Sequence, residues 1–161
     1  DSGGVYVVPT FTGMGAPYWD MHAQGMICGL TRGSGRNHII RATLESIAYQ
    51  TADVIAAMEK YTGLKTTVLK ADGGASKNKL LMQTQADISD VTVVCSGSGE
   101  ATALGAAFLA GLMVGYWDIQ EDLCRMGEET YRFVPAMDED IRKTKLDGWH
   151  KAVARARYQG N

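Results

Sequence analysis

Residues 71 to 78 read Ala71-Asp72-Gly73-Gly74-Ala75-Ser76-Lys77-Asn78, between a strand-like run, Thr66-Thr67-Val68-Leu69-Lys70, and a helix-like run that extends through Ile88. Paired glycines at such a junction carry no Cβ, so a flat ligand can approach the backbone closely. Asn78 follows one turn on. Its amide offers a donor and an acceptor together, which suits the edge of an adenine. Taken alone, Asp-Gly-Gly also describes an ordinary turn. The rest of the chain must decide between the two.

Upstream, Val5-Tyr6-Val7-Val8-Pro9 reads as a buried strand stopped by proline, and Gly25-Met26-Ile27-Cys28-Gly29-Leu30 as a second strand. Asn37 is placed to cap a long helix from 38 to about 61. Ile40, Leu44, Ile47, Thr51, Val54, Ile55 and Met58 keep helical spacing along one apolar face, and Gly63 ends the helix. Glu45, Asp53 and Glu59 read as solvated, with Arg41 and Glu45 forming a surface pair one turn apart.

Downstream, Val91-Thr92-Val93-Val94-Cys95 is a further strand, and 96 to 99 a turn. Residues 100 to 112 are apolar nearly all round, which predicts a helix buried on most sides with Gly105 at a close contact. An amphipathic helix from 138 to 158 closes the chain, with Leu146, Trp149 and Val153 on its buried face. Early strands followed by alternating helix and strand predict an α/β domain with a mixed sheet flanked by helices.

The 161 residues suit one domain with its own core. A net charge of −2 argues against a nucleic-acid or anionic membrane partner. No apolar run approaches the roughly 20 residues of a membrane span. Cys28, Cys95 and Cys124 are far apart and lack zinc-site spacing, and His22, His38 and His150 are scattered. These features suggest a reducing cytoplasm and no metal site made by this chain alone. The chain opens at Asp1 before an apolar run, which suggests a piece of something longer.

Other motifs are weaker. Gly97-Ser98-Gly99 would need a third glycine where Thr102 stands, and Gly13-Met14-Gly15 one where Tyr18 stands, so neither is a dinucleotide fingerprint. No Walker A sequence occurs. Asp72 is the only acid beside the glycine loop, and hydrogen bonding within its own turn is the simpler role for it. Tyr18 and Trp19 read either as an exposed aromatic contact or as a plug beneath their loop. Nothing resembles a nucleophile–base pair.

Several segments together make the chain recognisable. Gly25-Met26-Ile27-Cys28-Gly29-Leu30, then His38-Ile39, then Ala42-Thr43-Leu44-Glu45 resemble, at matching spacing, the C-terminal signature of the FGGY carbohydrate kinases. Phe11-Thr12-Gly13-Met14-Gly15-Ala16-Pro17-Tyr18-Trp19-Asp20, the Asp72-Gly73-Gly74-Ala75 loop with Asn78, and the run from Thr102 to Gly111 look like the members that act on glycerol.

The resemblance implies an actin-like, ribonuclease H-like fold, with residues 1 to 161 as the nucleotide-side, C-terminal domain and an N-terminal domain outside this chain. It implies ATP and Mg²⁺ as cofactors and glycerol as acceptor, giving sn-glycerol 3-phosphate. Another polyol or sugar, or a non-catalytic ATP-binding module, is the alternative. By resemblance, Gly74 and Asn78 line the adenine pocket with Gly73 and Ala75 beside them. The catalytic aspartate would precede Asp1, so the isolated chain is expected to be inactive. The cytoplasm and a homo-oligomer, dimer or tetramer, are implied as well. In some bacterial members the segment matching 135 to 145 binds a sugar-phosphotransferase protein through zinc. Ile141 stands near the place of the zinc-ligand glutamate, so that partner is not expected here.

Overall fold

A computed structural model describes residues 1–96, 101–116 and 129–157. Strands β1 (Tyr6–Val8) and β2 (Met26–Cys28) form an antiparallel pair with Val7 opposite Ile27. Helix α1 (Arg36–Thr62) follows, then β3 (Val68–Ala71), a single 3-10 turn (Gly74–Lys77) and α2 (Lys79–Ser89). Strand β4 (Thr92–Ser96), α3 (Ala101–Met113), β5 (Glu129–Phe133) and α4 (Glu139–Arg157) complete the described elements. β3 and β4 are parallel, with Leu69 opposite Val93, and β5 adds antiparallel to β4. The three-stranded sheet is therefore mixed, as expected, while β1 and β2 form a separate ladder.

Two apolar clusters hold these parts. One joins Val8, Tyr49, Ile88, Trp149 and Val153, from β1, α1, α2 and α4. The other packs Leu81, Met82 and Ala86 of α2 on Val93 and Cys95 of β4. Tyr49 and Trp149 stack with ring centroids 5.3 Å apart at the centre of the first cluster.

Helix α1 corrects the sequence reading twice. Its N-cap is Gly35, whose N–H donates to Nδ1 of His38 at 3.0 Å, so Asn37 lies inside the helix. Its buried residues include Ala42, Glu45, Ser46, Tyr49 and Asp53, while Ile40, Ile47 and Met58 are exposed. Of the expected apolar stripe only Ile55 is buried, because the core side of α1 is built around two carboxylates with partners distant in sequence.

Glu45 is 1 % exposed. Its carboxylate accepts from Arg41 Nε at 2.8 Å, Ser2 Oγ at 3.1 Å, Tyr49 Oη at 3.2 Å and Lys145 Nζ at 3.3 Å. Burial alone would raise its pKa. The Arg41 hydrogen bond and the two cations outweigh burial and bring it below the ordinary carboxylate value.

Asp53 accepts from Trp149 Nε1 at 2.7 Å and Tyr18 Oη at 2.8 Å, with His150 Nε2 2.9 Å from its other oxygen. Burial, and then the hydrogen bond to Asp53, raise the Tyr18 hydroxyl pKa far above its usual range. Tyr18 is thus the plug under its loop. Trp19 is the exposed aromatic, so the two residues divide the alternatives. Glu59 is half-buried and accepts from the Thr66 N–H at 2.7 Å.

The apolar helix α3 is the other correction. Leu109 is 67 % exposed, Leu112 and Met113 are also exposed, and a Cβ on Gly105 would meet no heavy atom within 4 Å. All-round apolarity says that a helix needs cover, without saying that the cover belongs to the same 161 residues. Gly105→Leu should therefore not overpack this chain, and by helix propensity should raise its stability by up to about 1 kcal/mol.

The close approach of backbone and side chain occurs at Gly148 instead. A Cβ there would run into the hydroxyl and ring of Tyr6. In an ordinary helix Gly→Ala gains nearly 1 kcal/mol. Here Gly148→Ala should cost about 1–3 kcal/mol by overpacking, read as an earlier denaturant midpoint.

Candidate nucleotide site

The expected site residues come together at the carboxyl ends of β3 and β4. Residue pair Ala71 and Cys95 is in register, so the loop that leaves β3 stands beside the end of β4. The region outside the carboxyl ends of parallel strands is where α/β sheets bind ligands.

Gly73 has φ +91°, a conformation that favours glycine. Gly74 opens the 3-10 turn, whose last bond is Asn78 N–H to Ala75 O at 3.1 Å. Ser76 is buried, and its hydroxyl donates to Gly73 O at 2.7 Å, which fixes the turn from beneath. A Cβ on Gly73 or on Gly74 would meet no heavy atom of the chain within 4 Å. The space above both glycines is open.

Asn78 is the N-cap of α2, and its Oδ1 accepts from the Leu81 N–H at 3.2 Å. The amide oxygen is therefore committed to the helix. Nδ2 makes no hydrogen bond among the described residues, so it is the readier of the two groups to face a ligand, while Oδ1 still keeps one lone pair beyond the cap. Gly74 and Ala75 are exposed alongside it. Asp72 lies close enough to Cys95 that its charge, after burial, helps push that thiol up.

The sequence reading missed what braces this loop. Gln83 Nε2 donates to Val134 O at 2.9 Å, and Asp87 accepts from the Ala136 N–H at 2.8 Å, tying α2 to the segment after β5. Lys79 lies 5.1 Å from the ring centroid of Tyr131 on β5. The strand itself gave little signal, since Glu129-Thr130-Tyr131-Arg132-Phe133 alternates charge and aromatic residues. Because β5 is antiparallel to β4, it does not complete a dinucleotide-binding βαβ unit. Gly97, Ser98 and Gly99, like Cys124, lie outside the described residues.

Residues 1–114 match the C-terminal domain of the FGGY family of carbohydrate kinases. This chain belongs to that family. Glycerol kinase of Petrotoga mobilis is 59 % identical over 157 residues, covering 98 % of the chain and 32 % of the relative. Glycerol kinase of Caldanaerobacter subterraneus is 58 % identical over 97 % of the chain and 31 % of the relative. The crystal structure of Plasmodium falciparum glycerol kinase with ADP superposes with a TM-score of 0.87 at 38 % identity, over 99 % of this chain and 32 % of that one.

Ligand-bound xylulose kinase from Lactobacillus acidophilus shares the fold, with a TM-score of 0.75 at 24 % identity over 97 % of this chain and 31 % of that one. The actin-like α/β class expected from the FGGY resemblance is thus the fold observed. The chain spans about a third of the length of the FGGY relatives it matches.

Proposed function

We propose that residues 1 to 161 form the C-terminal, nucleotide-side domain of an ATP-dependent glycerol kinase producing sn-glycerol 3-phosphate in the cytoplasm. The observation that carries this reading is the open space over Gly73 and Gly74 beside the Nδ2 group of Asn78. A purine laid on the glycine backbone fills that space, and Asn78 Nδ2 donates to an acceptor on its edge. The likeness to a glycerol kinase determined with ADP supports the same ligand class.

The loop contributes binding and orientation. Phosphoryl transfer depends on positioning and on neutralising charge from both sides of a closed site, and this chain provides the base-holding side. Asp72 is the only carboxylate in the loop, and no group of three His, Cys, Asp or Glu that could hold a metal occurs among the described residues. Mg²⁺ would be held by the nucleotide phosphates and by residues outside those described here, where it would neutralise phosphate charge. The N-terminal domain would bring the acceptor pocket and the general base. The assembled enzyme is a homo-oligomer.

The test separates the donor from the cap. Asn78→Asp keeps an oxygen to cap α2 and removes the Nδ2 donor, so stability should hold while ATP binding weakens. Losing one hydrogen bond of about 1 kcal/mol raises the Michaelis constant for ATP roughly fivefold, and more where the purine acceptor is left unpaired. Asn78→Ala should weaken ATP similarly and also cost about 1 kcal/mol of stability through the lost cap. Gly74→Val should fold normally and raise the ATP constant most, with that for glycerol little changed. Unaltered ATP kinetics in both Gly74→Val and Asn78→Asp, in the full-length enzyme, would remove the assignment.

A further inference from the structure

Thr10 lies just after β1, at the start of the loop that leads to β2. Its backbone is pinned, with the N–H donating to Val8 O at 3.0 Å. The residue is only 5 % exposed, yet Oγ1 has no hydrogen-bond partner. Among the described residues it is the one buried side-chain nitrogen or oxygen of which this is true. A hydroxyl taken out of water without a partner is a net cost, and nearly all buried polar atoms in folded proteins avoid it.

Thr10 lines a cavity of about 50 Å³, together with Gly13, Met14 and Tyr18 of the same loop and Gln50 and Asp53 of α1. At about 30 Å³ per water molecule, that is room for one or two. Oxygen atoms are at hand in its walls. Gln50 spends Nε2 on Ser46 O at 3.1 Å and keeps Oε1 as an acceptor. Tyr18 donates its hydroxyl proton to Asp53 at 2.8 Å, and its phenol oxygen keeps a lone pair.

We infer that this cavity is a built site for an internal water molecule, which accepts the Thr10 Oγ1 proton and donates to oxygens of Gln50, Asp53 or Tyr18. Other occupants of that size fit the polar atoms less well. An apolar guest would leave the hydroxyl as unpaired as before. An anion would lie beside the buried carboxylate of Asp53 and be repelled. A monovalent cation would take lone pairs from Thr10 without accepting its proton. Its natural ligand here, Asp53, already has Tyr18, Trp149 and His150 as partners. Water both accepts and donates, and a buried water typically makes about three such bonds.

The site gives the loop a second polar tie to α1, beside the Tyr18–Asp53 bond. Between β1 and β2 the loop's ladder contacts are single bridges, Phe11 with Gly13 and Met14 with Asp20. Ties to α1 therefore help to set where the loop lies and keep Met14 in the core.

A high-resolution crystal structure of the full-length protein tests the site directly. A peak of water density is expected within hydrogen-bond distance of Thr10 Oγ1 and of an oxygen on Gln50, Asp53 or Tyr18. Thr10→Ser keeps the hydroxyl and should keep the peak. Thr10→Val keeps the shape and should lose it. Stability supplies an independent sign. Removing an unpaired hydroxyl would raise the thermal midpoint, whereas losing a bridged one lowers it, by about 2–4 °C for one hydrogen bond in a domain of this size. A dry cavity in the parent would overturn the site. So would an anomalous peak at that position after thallium(I) replaces the monovalent salt of the crystal, which would make it a cation site. A midpoint raised by Thr10→Val would overturn it as well. Should Thr10→Val fail to fold, the density in the parent and in Thr10→Ser decides.

Discussion

Glu45→Ala should cost about 3–5 kcal/mol of unfolding free energy, since removing one member of a buried charge group leaves its partners uncompensated. Two cations, Arg41 and Lys145, and two hydroxyls, those of Ser2 and Tyr49, lose their common acceptor. Arg41 and Lys145 keep 25 % and 22 % of their side-chain surface in water, which should place the loss at the lower end of that range.

The same group sets the acid limb of stability. The folded pKa of Glu45 lies below its unfolded value of 4.5, so its stabilisation is fully present above pH 4.5. It is lost as pH falls through the lower folded value. Glu45→Gln removes this titration, so the variant should be less stable at neutral pH yet lose less on acidification. Urea denaturation between pH 7 and pH 3 checks both the size and the sign. An acid limb as steep as the parent's would show that Glu45 is not its source.

Trp149→Ala should be comparably severe. The indole is fully buried, stacks on Tyr49 and donates to Asp53. Removing a buried Trp costs about 3–5 kcal/mol through lost burial and the cavity left behind. Trp149→Phe isolates the hydrogen bond: the ring remains, Asp53 keeps Tyr18 and His150, and the cost should be about 1–3 kcal/mol. Equilibrium denaturation of both variants gives the comparison. Against a typical total of about 5–15 kcal/mol, the alanine variant should be partly unfolded near body temperature. Equal losses in the two variants would mean that packing against Tyr49 contributes little.

These two residues also show where the sequence was legible. The strand–glycine–helix order at 66 to 88 placed β3, the loop and α2 to within about two residues, because a β-branched run, φ-permissive glycines and an apolar helical run are local signals. The two-sided character of α1 was not local. Apart from Ile55 its apolar stripe is not buried, while the core face contains Glu45 and Asp53. Their partners Lys145 and Trp149 lie 100 and 96 residues away, beyond the reach of any periodicity. At the loop, residue chemistry singled out Asn78 for a ligand but did not show that its oxygen also caps α2. β5 was missed because charge interrupts its strand pattern.

The distance from Glu45 and Asp53 to α4 has a further consequence for how the domain is made. A chain emerging from the ribosome presents α1, α2 and both early strands long before Lys145 and Trp149 exist. Until α4 appears, two carboxylates destined for the interior have lost neither their water nor their freedom, and Tyr49 has no ring to stack upon. Contacts of such long sequence separation are slow to form and leave apolar surface exposed meanwhile. Completion of the domain therefore waits until α4 has left the exit tunnel. A ribosome stalled shortly before codon 145 should hold a protease-sensitive nascent chain, and one stalled some 40 codons beyond 157, with α4 clear of the exit tunnel, a resistant one.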